Sequence, residues 1–445
     1  MRFGIAASLI LLGNLWPVWG EARDNVSTFS LENGLEVVVI EDHSEPVAIH
    51  MVWYRVGAAD EPPGKSGIAH LVEHLMFRGM EEYDSEELSR IFAENDIEAN
   101  AFFSYDYTSY FHRIAPEKLG MMMMLEADRM RELDFSSEVF EFKRRGMLAD
   151  RGRRIESSPD RLFAEQRMAV LYLNHPYGIP VNGWRHEFEN LTENDARDFF
   201  RRHYAPNNAI LLVAGNAFPD EVRKLAELNF GAIEPTPGIK PRIRPSEPLH
   251  RAERRLEFKD ERVRRPYLVR HYLAPERDPG DQKSAAALVV LKELLGGRNE
   301  NSILIQELVT DRLVAMHVSA FYGGTAYDDT SFGIFVMPNS GVDLMEAESA
   351  LDDALAKFLN DGPDHGHLQM VKNRIRVNWN YEGQDIEAQA MKYGRALTAG
   401  LSIDDVHEWP SIVEQLTIDD IVEVANRVLK TENSVTGWMM TKEGE

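Results

Sequence analysis

The 445-residue sequence predicts an α+β chain made of two related halves. Three observations predict it. Strand-like stretches rich in Val, Ile and aromatic residues are interleaved with helical stretches in both parts of the chain. A stretch with Pro235, Pro237, Pro241, Pro245 and Pro248 separates those parts, and reads as a stiff extended linker. Finally, S-A-A-A-L-V-V-L-K-E-L-L-G-G at 284–297 overlays S-G-I-A-H-L-V-E-H-L-M-F-R-G at 66–79, Ser to Ser and Gly to Gly. One helix is thus written twice. The expected layout is a first half over 24–235, a linker over 236–250 and a second half over 251–445.

Residues 1–20 read as a secretory signal peptide: Arg2, an apolar run from Ile5 to Leu12, then Val18-Trp19-Gly20 as a cleavage site. The run is too short to span a membrane comfortably. Strands follow over 28–56, turning at Asn33-Gly34, with Val47–Val56 a second apolar run. The helix at 66–79 comes next, then a helix starting at Asp84-Ser85-Glu86-Glu87. Residues 97–113 are β-rich, with Tyr105, Tyr107 and Tyr110 among polar neighbours. A helix over 116–133 holds Met121–Met124, which read as core filler and not as a metal or binding stripe. Helices follow over Ser136–Glu156 and Arg161–Leu173, and then a loop at His175–Gly178. Leu191–Asp195 caps another helix, and Ala209–Gly215 is a buried strand. The second half opens with strands over 254–273 and then the repeated helix.

Composition narrows the function. There are 49 Lys+Arg against 73 Asp+Glu, a formal net charge of −24, which argues against nucleic acid or an anionic membrane as the main partner. With no cysteine there are no disulfides and no thiol chemistry. Together with the leader this fits an exported protein of a bacterial periplasm, with secretion as the alternative.

The chemistry concentrates in H-x-x-E-H, His70, Glu73 and His74. On a helix, positions i and i+4 lie one turn apart on one face, so both imidazoles can point at one metal ion. Two neutral imidazoles suit zinc, and a carboxylate beside them suits a general base for a metal-bound water. The order is the inverted form of the zinc-protease motif. The bland alternative is two core histidines and a surface glutamate. Burying the trio among Ile68, Leu71, Val72, Leu75 and Met76 is costly without a compensating ion. The second copy carries Leu288, Leu291 and Lys292 at the matching positions, so the fold by itself does not require the histidines.

With F-S-L-E-N-G-L-E-V-V-V, G-I-A-H-L-V-E-H-L-M-F-R-G, E-A-N-A-F-F-S-Y-D-Y-T-S-Y and H-P-Y-G-I-P-V-N-G-W, the chain resembles the inverted-motif zinc metallopeptidases. These are the family of pitrilysin, insulin-degrading enzyme and the mitochondrial processing peptidase, and the likeness is to their short bacterial members. The resemblance implies two halves, each an antiparallel sheet with helices on one face, closing like a clamshell with a partner. It implies zinc on His70 and His74, with Glu73 as the catalytic base. The third ligand falls on Asp150, where relatives carry Glu, and Lys143 stands where they carry a supporting Glu. Ala99, Asn100, Ala101, Phe102 and Phe103 match the strand to which a peptide substrate adds, though Asn100 reads equally as a turn or bulge residue. Relatives also use an Arg and a Tyr in the second half. Here those positions hold Val309 and Met316, with Arg312 and His317 nearby but out of register. The implied function is a zinc-dependent endopeptidase working with a homologous partner subunit that supplies the Arg/Tyr pair, as a heterodimer or, alternatively, a homodimer. The rival from another class is a weak or inactive peptidase-like subunit that binds peptides or serves assembly.

Overall fold

A computed structural model describes the chain apart from residues 1–24, 77–84, 132, 134, 240–241, 298–299 and 443–445. The leader at 1–20 and the helix start at Asp84 lie outside the described residues. Among these residues two sheets form. The first holds β1 (Val26–Ser30), β2 (Glu36–Glu41), β3 (Ala48–Tyr54), β4 (Glu98–Phe103), β5 (Thr108–Ile114) and β6 (Ala209–Gly215), in the order β1-β2-β6-β3-β5-β4. The second holds β7 (Arg254–Asp260), β8 (Tyr267–Ala274), β9 (Ala315–Tyr322), β10 (Thr330–Pro338) and β11 (Ser434–Thr441), in the order β7-β11-β8-β10-β9. Each is antiparallel save for one pair: β2 runs parallel to β6, and β7 parallel to β11. The Asn33-Gly34 turn forms as expected. Gly34 sits at φ +86°, and the Asn33 amide donates to the carbonyls of Phe230 and Ile233 at 2.8 and 3.0 Å, tying the hairpin to the end of its half.

Side chains alternate between the faces of a strand, and the central strands β3 and β6 are buried on both. Ala48, Val52 and Tyr54 face helices of the first half, with Met122 and Met123 among the core residues beneath them. The methionine run is therefore core at those two positions, while Met124 reaches solvent. Ile49, Met51 and Trp53 point the other way, onto Ala390, Tyr393 and Ala396 of the helix Ile386–Thr398. That helix belongs by sequence to the second half. It approaches so closely that a Cβ on Gly394 would lie 2.1 Å from the Trp53 ring. The loan is mutual: the helix Pro159–Leu171 packs Phe163 against Val269, Tyr267 and Met439 of the second sheet. Helices therefore cover both faces of each sheet, one face being covered from the opposite half.

Among the described residues no helix or strand forms between Phe230 and Arg254. The proline-rich stretch is nonetheless fixed in place. Arg244 donates to Asp106 at 2.6 Å, Asp328 at 2.9 Å and Asp60 at 3.0 Å, and Arg242 donates to the Asp106 carbonyl at 2.6 Å. Asp60 and Asp106 come from the first half and Asp328 from the second. Buried arrays of this kind add little net stability but specify one arrangement, here the seating of the linker between the halves.

Candidate metal centre

The site helix is Ile68–Met76. Its start is fixed from outside. Glu61 accepts from the backbone N–H groups of Gly67 and Ala69 at 2.8 and 2.9 Å, supplying a cap for otherwise orphaned donors. Glu187 accepts from the Ser66 N–H at 2.9 Å. Gly67 takes φ +91°, and a Cβ there would meet the Phe188 ring at 2.3 Å, so only glycine fits. From that start the apolar positions Leu71, Val72, Leu75 and Met76 turn inward and are buried.

His70, Glu73 and His74 converge. Donor atoms of the three lie within 4.8 Å of one another. A Glu73 oxygen is 4.0 Å from His70 Nε2 and 3.7 Å from His74 Nε2. Glu73 is buried, at 7% exposure, and is not a surface glutamate. Burial pushes its carboxyl up to about 7, against the pull of Lys143 and Arg129. Burial, and then the neighbouring His74, lowers His70 to about 3; burial and Lys143 lower His74. Both rings are therefore neutral at pH 7 with lone pairs available. Two neutral imidazoles at one spot, with a carboxylate beside them, fit zinc.

The residues expected to form a substrate strand reach the same place. Among the described residues β4 is the edge of the first sheet, paired only with β5 on one side. Ala99 and Asn100 are exposed, and Asn100 Oδ1 accepts from the Ala101 N–H at 2.9 Å. At the strand's end the Phe103 ring stacks on His70 with centroids 5.2 Å apart and an interplanar angle of 8°. This contact orients the imidazole and joins the edge strand to the donor cluster; no spacing in the sequence announces it.

Asp150 sits on the helix Ser137–Arg151 and lines the same cavity of about 510 Å³ as His70 and His74. It is close enough for its charge to favour protonation of both rings. Its carboxylate does not belong to the three-residue donor group, and faces Arg154 at 3.0 Å and Arg153 at 3.3 Å instead. Lys143 also lines the cavity. In the second half, Val309 lies in the turn Gln306–Asp311 and Met316 is exposed on β9 beside Arg265. Arg312 pairs with Asp353, and His317 packs on Phe335.

Residues 36–183 match the family model "Insulinase (Peptidase family M16)", and residues 190–375 match "Peptidase M16 inactive domain". The chain belongs to peptidase family M16. Among its M16 relatives, zinc protease PqqE of Helicobacter pylori is 27% identical, over 92% of this chain and 91% of that protein. The mitochondrial-processing peptidase subunit beta of Blastocladiella emersonii is 21% identical, over 90% of this chain and 85% of that one. Among solved structures, a protease from Helicobacter pylori superposes with a TM-score of 0.85 at 24% identity, over 93% of this chain and 99% of the other. The periplasmic protease PqqL from Escherichia coli gives 0.80 at 19%, over 94% of this chain but 47% of PqqL. The two-sheet fold is thus the M16 fold, and this chain matches about half of PqqL. Among the described residues no helix is long and apolar enough to cross a membrane.

Proposed function

We propose that this M16 chain is a zinc-dependent endopeptidase acting on peptides or unfolded segments. The observation that carries the proposal is the convergence of His70, His74 and a buried Glu73 beside an open sheet edge. His70 and His74 would hold the metal, and Asp150 would complete the set on leaving Arg153 and Arg154. A zinc ion held there supplies Lewis-acid polarisation of a carbonyl and makes water acidic enough to react at neutral pH. The protein's own groups do the rest. The unpaired edge of β4 takes a peptide as an added strand through backbone hydrogen bonds, which orients the scissile bond without demanding a sequence. A Glu73 oxygen takes the proton of the attacking water and delivers it to the leaving amide nitrogen. Phe103 holds the His70 ring in place.

With Val309 and Met316 at the positions where an Arg/Tyr pair is expected, we assign those groups to a homologous partner subunit, so that the isolated chain turns over slowly. PqqL, a periplasmic protease twice this length, supports both the pairing of two such units and export to the periplasm.

The test is Glu73→Gln. Removing a general base costs about 10²- to 10⁴-fold in rate. The variant should keep zinc and lose cleavage; normal cleavage would remove Glu73 from its role. One observation favours a second reading, a peptide-binding subunit with little activity: Asp150 is engaged by two arginines. On that reading the wild-type chain binds peptides, and neither it nor Glu73→Gln cleaves them, with or without a partner.

A further inference from the structure

The cavity beside His70 and His74 reverses the charge of the chain around it. The molecule carries a formal net charge of −24, yet among the described residues Lys143, Arg151, Arg154 and Arg161 line this cavity and Asp150 is the one carboxylate on its wall. Two of these cations are already engaged. Arg151 is closed off by a bidentate pair with Glu165 at 2.8 and 2.9 Å, and Lys143 acts on Glu73 and His74. Among the described residues Arg154 pairs with Asp150 alone, and most of its side chain is open to solvent. The Arg161 guanidinium has no ion-pair or hydrogen-bond partner among the described residues. It stands in the first turn of the 13-residue helix Pro159–Leu171, where the helix dipole adds positive potential. Phe142, Met147 and Ile155 supply apolar wall between the charges.

Resting on the peptidase reading, the geometry points to a carboxylate-binding subsite: Arg154 and Arg161 select peptides that place an acidic side chain, or a free C-terminal carboxylate, next to the bond at the metal centre. Guanidinium and carboxylate match as planar forks, and such charge-assisted bonds are about twice as strong as neutral ones. The distant negative surface does not cancel this, because solvent screens charges beyond about 8 Å at physiological salt. A carboxylate that takes Arg154 also relieves one of the two arginine pairings of Asp150.

The test uses the full chain stripped of metal by chelator, so that binding is read without hydrolysis. Fluorescent ten-residue peptides carry Glu, Gln or Lys at each position in turn, with free or amidated C-termini, and are titrated by anisotropy. At one position, or at the free terminus, the carboxylate form should bind about five- to tenfold more tightly than its neutral counterpart, and Lys less tightly. The margin should shrink between 50 and 500 mM salt. The discriminating variant is Arg161→Glu. It should fold, because Arg161 is exposed and an acidic side chain in the first turn suits the helix dipole. It should invert the preference from Glu to Lys, whereas Arg201→Glu, outside the cavity lining and beside Asp198, should leave it untouched. Equal binding of all three peptide series, or a Glu preference that survives Arg161→Glu, overturns the subsite. If that preference holds while the metal-loaded chain cleaves nothing even with a homologous partner subunit, the peptidase reading fails and the subsite stands. Cleavage with no preference gives the converse.

Discussion

The helices Ile68–Met76 and Lys283–Gly296 are two versions of one element. Each lies against the edge strand of its own sheet, β4 and β9. In the second version Leu288 and Leu291 are fully buried and Lys292 pairs with Glu293 at 2.9 Å. The helix lies tightly on β9, where a Cβ on Gly296 would sit 2.3 Å from the Ala320 nitrogen. In the first version the same places hold two part-exposed imidazoles and a buried carboxyl, with Phe103 as the contact to the strand. The second half shows what this helix does when only packing matters. The first half gives up that packing to hold a polar trio against a sheet edge, and the difference locates the chemistry.

The comparison can be broken most severely from the second half. Leu291→Glu recreates the position of Glu73 without its surroundings, and should destabilise the chain by about 3–5 kcal/mol in chemical denaturation, because the carboxylate is buried unpaired. A loss below about 1 kcal/mol would mean that this helix tolerates a buried acid anywhere and that Glu73 signifies little. The reverse exchange, His70→Leu with Glu73→Leu and His74→Lys, should fold and gain about 1–2 kcal/mol in metal-free buffer, since desolvation of the Glu73 carboxyl is relieved. It should lose all metal binding. Failure to fold would show that the trio is structural.

Acid probes one buried histidine in each half. His50 on β3 and His271 on β8 are both buried, and desolvation lowers each to about 3. In the unfolded chain each takes a proton near 6.5, so the unfolded state binds more protons over that window. Their stabilising contribution is complete above pH 6.5 and is lost as pH falls toward 3, at up to about 1.4 kcal/mol per pH unit for each ring. His50→Leu and His271→Leu should each flatten the acid limb of stability by about one proton. Flattening by only one of them would mean that the halves unfold separately in acid.

Much of this was legible in the residues. H-x-x-E-H put His70, Glu73 and His74 on one helical face because helix periodicity alone does so. The overlay of 66–79 on 284–297 exposed the repeat, and Asn33-Gly34 the first hairpin. What stayed hidden depends on contacts between residues distant in sequence. Glu61 caps the site helix from a loop, Phe103 reaches His70 from a separate strand, and Asp150 is turned toward arginines one helical turn on. The exchange of Ile386–Thr398 and Pro159–Leu171 between the halves was equally out of sight, because a division at the prolines follows chain order and not packing. The parallel pairs β2/β6 and β7/β11 come from strands that return late to their sheets, a matter of topology that local pattern does not carry.

The central claim is that the first helix, unlike its twin, holds a metal. Zinc content of the purified chain after dialysis against micromolar zinc tests it most directly. One zinc per chain is expected for the wild type and none for the His70→Ala, His74→Ala variant, with both proteins folded by circular dichroism. A zinc-free wild type, or equal zinc in the two proteins, would contradict the account.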